Sequence, residues 1–316
     1  MRVNNRIFLV LCIPLTALLL TCKKEESKTD YIAENVIIIV VDGPRYTETW
    51  GYPDQLHIPF QHALKSQGVF YHNFYNDGLT QTTPGHTAIA TGVYQAINNN
   101  GQETPFMPSI FQYWRKATGN PAQAAWIIAS KDKLSVLANC TKLEWTGSYQ
   151  PSQSCGVDGG GVGSGYRHDS LTLNVTLSIL DYHHPNLVLI NFREPDFSGH
   201  AGDWVNYIAG ISMTDAYIEE IWNFIQNDPK YKDKTALFIT NDHGRHLNGV
   251  QNGFVSHGDN CDGCRHVSLL AVGPDFYKGV DVLNRHEQRD ISATIAEILG
   301  FNMETGEGKV LSGLFK

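Results

Sequence analysis

Stretches of unbroken apolar character recur along the chain, each bounded by polar or turn-forming residues. The first, Asn35-Val36-Ile37-Ile38-Ile39-Val40-Val41, is a β-branched run with no polar/apolar alternation. Such a run suits a strand buried on both faces, as in parallel sheets covered by helices. Further strands are predicted at 69–75, 124–129, 186–192, 235–240 and 267–272. Between them the apolar positions take helical spacing, at 61–65, 85–91, 108–116, 170–183, 207–226 and 290–299. In the fourth of these, Leu171, Leu173, Leu177 and Leu180 are expected on one buried face. Alternating strands and helices predict an α/β fold in three layers, a mostly parallel central sheet with helices on both faces. No repeat or linker interrupts residues 35–316, which read as one domain.

Segment 141–167 breaks this pattern. It is irregular and rich in glycine: Gly156, Gly159, Gly160, Gly161, Gly163 and Gly165. A phosphate-cradling loop needs a strand before it and a helix directly after. That spacing is missing, so the segment reads as an insertion or a lid over a site.

The N-terminus carries Arg2 and Arg6, then an apolar run over 7–20 broken only by Pro14 and Thr16. It is short for a membrane span and matches the core of a signal peptide. Leu19-Leu20-Thr21-Cys22 resembles a bacterial lipobox, in which Cys22 is the lipidated residue, with Thr21 where Gly or Ala is commoner. The expected organisation is a leader over 1–22, a polar tether over 23–34 and the domain beyond. The expected location is the bacterial cell envelope, in the periplasm or as an outer-membrane lipoprotein. Membrane contact is then by the lipid anchor at most.

A formal net charge of −8 shows no Lys/Arg-rich nucleic-acid footprint. Outside the leader, the cysteines are Cys140, Cys155, Cys261 and Cys264. An even set in an exported protein predicts disulfides, here by local pairing of Cys140 with Cys155 and of Cys261 with Cys264. A Cys-x-x-Cys zinc knuckle is the alternative, but no second such motif accompanies it.

Candidate chemistry gathers at the strand ends. Asp42, Asp196 and Asp242 each follow a predicted buried strand. Parallel neighbours bring such ends to one edge of the sheet, where α/β folds bind ligands. Two of the three come with histidine, as Asp196-x-x-x-His200 and Asp242-His243, and His257 and His266 precede the last strand. Carboxylates with imidazoles suit Zn²⁺, and Mn²⁺ less well. Five or six such ligands exceed one tetrahedral zinc. Two metals about 3.5–4 Å apart would use them all, as in in-line phosphoryl displacement. A hydroxyl nucleophile is offered by Thr80-Gln81-Thr82-Thr83-Pro84-Gly85-His86. Taken alone, that loop is a capped helix start.

Together these motifs resemble the alkaline phosphatase superfamily: Asp42, Thr-x-Pro-Gly-His, Glu-Pro-Asp-x-x-Gly-His, Asp-His-Gly and a later His-Gly. The branch is similar to the nucleotide pyrophosphatase/phosphodiesterases, and the likeness covers most of 35–300. The resemblance implies Thr82 as nucleophile. It places Asp42, Thr82, Asp242 and His243 around one zinc, and Asp196, His200 and His257 around the other. It leaves His266, His86, His183 and His184 as structural residues. It also implies an Asn donor to a phosphate oxygen, for which Asn98, Asn99 and Asn100 compete and Asn100 is chosen. The implied reaction is hydrolysis of a phosphoric ester, nucleotides among the candidate substrates, through a phospho-threonine. Phosphomonoesterase activity is the alternative, with Arg45, Arg193 or Lys131 matching a dianion. An aromatic slot for a nucleotide would draw on Phe74, Tyr75, Tyr94 or Trp145. A sulfatase is disfavoured because the loop lacks the Cys/Ser-x-Pro-x-Arg pattern. A manganese-dependent mutase and a non-catalytic, metal-stabilised binding protein are the remaining readings.

Overall fold

A computed structural model describes Met1 and residues 30–316. Leader residues 2–22, Cys22 among them, and tether residues 23–29 lie outside the described residues. Strands β1 (Asn35–Asp42), β2 (Val69–Tyr75), β3 (Ala125–Ala129), β4 (Ser152–Cys155), β5 (Leu187–Pro195), β6 (Thr235–Asn241), β7 (His266–Val272), β8 (Val280–Val282) and β9 (His286–Glu287) form a single sheet. Its order is β4-β3-β5-β1-β6-β7-β2-β8, with β9 also on β2. Strands β4, β3, β5, β1 and β6 pair in parallel, and among the described residues only β7 runs against its neighbours.

The helices are α1 (Pro59–Leu64), α2 (Thr82–Thr91), α3 (Ile110–Thr118), α4 (Asp169–His183), α5 (Asp196–His200), α6 (Trp204–Asn227), α7 (Asp262–Arg265) and α8 (Arg289–Leu299). Side chains of β1 alternate between two cores. Val36, Ile38 and Val40 join Ile89, Phe111 and Ile295 on one face. Ile37, Ile39 and Val41 join Leu180, Ile211 and Ile218 on the other. Each such fully buried side chain contributes about 1.5–3 kcal/mol over exposure. These two cores fix the three layers and hold β1 rigid up to its last residue, Asp42.

Three expectations need correction. Segment 141–167 is not only an insertion or lid, because β4 lies within it and extends the sheet in parallel beside β3. On α4, Leu171 is exposed, and the buried face is Thr172, Leu173, Thr176, Ile179 and Leu180. The leucine spacing missed the buried threonines, of which Thr172 is held by Ser130 Oγ at 2.7 Å and accepts from Arg167 Nε at 3.0 Å. The disulfide pairing also fails: Cys140, Cys155, Cys261 and Cys264 are all free thiols. Cys140 packs with Tyr113 and Trp145, whereas Cys155 sits in β4 against the main core. Burial pushes the Cys155 thiol up to about 12. No helix among the described residues is long and apolar enough to cross a membrane.

Candidate metal and nucleophile centre

The parallel strands deliver their following residues to one edge. Asp42 ends β1, Lys131 follows β3, Asp196 follows β5 and Asp242 follows β6. Helix α2 brings Thr82 to the same edge as its first residue, where free backbone N–H groups and the helix dipole favour negative charge. Two glycines make this closeness achievable. A Cβ on Gly85 would lie 2.5 Å from the carbonyl oxygen of Asp242. Gly43 takes φ +64° beside Asp196, a turn that lets the chain leave β1 without covering Asp42.

The side chains then converge. His243 Nε2 lies 3.5 Å from Asp42 Oδ1 and 3.4 Å from Asp242 Oδ2. Asp196 Oδ1 lies 3.3 Å from His200 Nε2 and 3.4 Å from His257 Nε2, and the two histidines are 3.0 Å apart. The rings of His243 and His257 stack at 3.8 Å and join the two groups. Thr82 Oγ1 donates to Asp42 Oδ1 over 3.4 Å and accepts from Lys131 Nζ at 3.0 Å. Lys131 also reaches Asp42 Oδ1 at 2.9 Å and Asp196 Oδ2 at 2.6 Å.

The electrostatics shows a shortage of positive charge. Burial, and next the charge of Asp242, push Asp42 up to about 7. Burial opposes ionisation of Asp196 too, but Lys131, His257 and Arg245 outweigh it and hold Asp196 well below the usual carboxylate range. Burial lowers His243 to about 3 and His200 to about 4, so both imidazoles are neutral and available as ligands near pH 7. The fit to metal rests on two orphaned atoms: Asp242 Oδ2 and His243 Nε2 are buried and neither makes a hydrogen bond. Such a cost is unusual in a folded protein. Bound cations would satisfy both atoms and neutralise the crowded carboxylates, and the donor set of oxygens and imidazole nitrogens suits zinc.

Beside this edge lies a cavity of about 500 Å³ bounded by Thr82, Asn99, Lys131, Lys133, Tyr166 and Phe197, among others. Asn100 is not there: it is exposed, and its side chain turns to Gln102. Asn99 takes the place expected of Asn100, its Oδ1 accepting from Thr83 N and Lys133 Nζ, both at 2.9 Å. Consecutive asparagines in a turn look alike in sequence, and only the backbone path decides which points inward. Asn99 is half-buried there, and Lys133 reaches it from the helical turn over Asp132–Ala138 that follows β3.

Of Arg45, Arg193 and Lys131, only Lys131 lines the cavity. Arg45 is buried in an ion pair with Glu48, and Arg193 lies over Phe197. The aromatics expected to form a slot lie elsewhere: Phe74 is core, Tyr75 stacks on His266 and Trp145 packs on Tyr113. Tyr94 lines a larger cavity, about 620 Å³, that holds none of the strand-end Asp or His groups.

Supporting residues were less visible in the sequence. Asn191, a lone amide in an apolar strand, donates to Asp42 Oδ2 at 3.3 Å. His86 Nδ1 lies 2.8 Å from the Thr82 carbonyl and 3.4 Å from Asp242 Oδ2. Arg245 bonds Asp196 and the carbonyls of Phe254 and Val255, which steadies the approach to His257.

A family model described as type I phosphodiesterase / nucleotide pyrophosphatase matches residues 36–248. A phosphopentomutase from Herpetosiphon aurantiacus is 29% identical over 147 residues, 46% of this chain and 34% of that protein, so the match spans about a third of the relative's length. An inactive murine ectonucleotide pyrophosphatase/phosphodiesterase 5, solved in complex with AMP, superposes with a TM-score of 0.66 at 15% identity, over 89% of this chain and all of that one. A protein in the alkaline phosphatase superfamily from Vibrio parahaemolyticus gives 0.63 at 14% identity, covering 88% of this chain and 69% of that one. The likeness to these structures is one of fold, and the family match spans the strand ends that carry Asp42, Asp196, Asp242 and His243 and the helix start that carries Thr82. The chain therefore belongs to the type I phosphodiesterase / nucleotide pyrophosphatase family, on an alkaline-phosphatase-like fold.

Proposed function

We propose that this protein hydrolyses phosphoric esters at the strand-end cavity, with Thr82 as nucleophile and two zinc ions as cofactors. The observation that carries the proposal is Thr82 Oγ1, placed at a helix N-terminus with Asp42 on one side and Lys131 on the other. Asp42, Asp242 and His243 would hold one ion; Asp196, His200 and His257 would hold the other. Bound there, zinc supplies a lowered hydroxyl pKa and a polarised phosphoryl oxygen.

The chain's own groups account for the rest. As Thr82 Oγ1 attacks phosphorus its proton passes toward Asp42 Oδ1, and the Lys131 ammonium stabilises the developing alkoxide. The phosphoryl group passes to Thr82 as its bond to the ester oxygen breaks, and that oxygen leaves as the alcohol after taking a proton from solvent. Because Asn99 Oδ1 is engaged by Thr83 and Lys133, its NH₂ group is left to donate to a phosphoryl oxygen. Water entering beside Asp196 and His200 then hydrolyses the phospho-threonine and restores the hydroxyl.

Tyr166 and Phe197 line the cavity with aromatic surface. That suits a nucleotide, in keeping with the AMP bound to the murine relative. A second reading rests on Lys131 and Lys133, whose paired charges match the dianion of a phosphomonoester better than a diester. The test is to offer the zinc-loaded protein p-nitrophenyl phosphate, bis-p-nitrophenyl phosphate and a nucleoside triphosphate. Faster turnover of the diester and triphosphate supports the diesterase reading. Faster turnover of the monoester supports the lysine-pair reading, and turnover of none by protein holding two zincs removes both.

The leader-like N-terminus extends the proposal to export, with lipid attachment through Cys22. Loss of membrane association in Cys22→Ala is the expected result, and a variant still membrane-bound removes the anchor.

A further inference from the structure

A second group of metal-binding side chains stands apart from the cavity. His246, Asp259, Cys261 and Cys264 each offer one donor atom, and these atoms all lie within 4.8 Å of one another. Two sulfurs, a nitrogen and an oxygen make a closed tetrahedral set. Zinc–sulfur bonds of about 2.3 Å and zinc–nitrogen bonds of about 2.0–2.1 Å separate neighbouring donors by roughly 3.3–3.8 Å. Small side-chain movements close the observed spread on one ion.

His246 gives the independent indication. Its side chain is 2% exposed, and its Nδ1 lies 3.0 Å from Ser256 Oγ, which fixes the ring. Nε2 then faces Asp259 Oδ2 at 3.0 Å, yet it makes no hydrogen bond. A buried imidazole nitrogen and a carboxylate oxygen at this separation also fit two ligands of one ion. Metal-binding histidines are oriented in the same way, through a hydrogen bond to the other ring nitrogen. Asp259 is also held, Oδ1 by Cys261 N at 2.9 Å and Oδ2 by Gln251 Nε2 at 2.7 Å. Cys264 is fully buried.

We infer that His246, Asp259, Cys261 and Cys264 bind one zinc ion as a structural site, separate from the two at the strand ends. Thiolate with imidazole selects zinc over magnesium or calcium. Both thiol protons pass to solvent as the sulfurs ligate. The ion would clamp the loop that carries His257. Within that loop the Asp259 carbonyl accepts from Thr80 Oγ1 at 2.8 Å, and His257 Nδ1 lies 2.8 Å from the Thr80 carbonyl. The clamp therefore reaches both a strand-end histidine and the nucleophile loop.

The full chain, produced with zinc and purified without chelator, is expected to hold one more zinc per chain than Cys261→Ser/Cys264→Ser. Equal zinc content in the two overturns the site. Cobalt gives a second readout that needs no variant to fold. Cobalt-loaded wild type is expected to show thiolate-to-cobalt charge-transfer absorption. The strand-end clusters offer only oxygen and nitrogen donors and cannot produce that band, so the result stands apart from the proposed hydrolase activity. Absence of the band from wild type overturns the inference, as does a Cys261–Cys264 disulfide in the mass of the unreduced chain.

Discussion

The two donor clusters of this molecule differ in what surrounds them. The strand-end cluster is built of carboxylates and imidazoles, lies beside an open cavity, and has a threonine hydroxyl aimed into it. The Cys261–Cys264 cluster has two thiols, joins a loop to the start of α7, and has no hydroxyl nucleophile among its donors. Open coordination next to a nucleophile is a catalytic arrangement, and a closed set with sulfur is a structural one. The positioning also differs. Two apolar cores fix Asp42, Asp196 and Asp242 through the ends of β1, β5 and β6, whereas the loop of His246 and Asp259 has little core of its own. It is the loop that an added ion would most help.

Removing the strand-end chemistry should have the largest effect. Thr82→Ala is expected to lower kcat by roughly three orders of magnitude or more while the protein keeps its fold and metal content, measured by steady-state kinetics and elemental analysis. Asp242→Asn should come next, with at least about 100-fold weaker zinc binding and a parallel fall in activity that excess zinc partly restores. Asn99→Ala should cost about 10²-fold in kcat, as loss of one oxyanion donor does, while Asn100→Ala stays near wild type. Comparable losses in both would return the assignment to the neighbouring residue.

Lys133 offers a smaller and pH-dependent effect. Burial, and next the charge of Lys131, lower its pKa to about 8. It is charged below that value and neutral above it. KM for a phosphomonoester should therefore rise as pH passes upward through about 8, and Lys133→Gln should show a KM raised about tenfold and flat over that range. A wild-type KM that is flat there removes Lys133 from the phosphate site. The smallest effect on turnover is expected from Cys261→Ser/Cys264→Ser, which touches no reacting group and acts only through the placement of His257.

The strands and the strand-end Asp residues were legible because buried parallel strands leave unbroken apolar runs in the sequence, and a carboxylate soon after one is conspicuous. The same logic brought Asp42, Asp196 and Asp242 to one edge. What stayed hidden depends on local backbone path or on non-local contact. Strand β4 is four polar-rich residues at the sheet's outer edge, so it carries no apolar signal. Asn99 and Asn100 are indistinguishable until the turn is built. Asn191 and His86 read as ordinary strand and helix residues, because their partners are 149 and 156 positions away, at Asp42 and Asp242. Proximity in sequence predicts local disulfides, but Cys140 and Cys155 belong to separate cores, and Cys261 and Cys264 share their corner with His246 and Asp259.

The central claim is that Thr82 carries the phosphoryl group. Zinc-loaded protein mixed with a phosphate ester and quenched in acid should yield a peptide covering 78–92 that is heavier by one phosphoryl group, with the modification on Thr82. Thr82→Ala should give no such peptide and no turnover. Phosphorylation of Thr80 or Thr83 instead, or full activity of Thr82→Ala, would contradict the account.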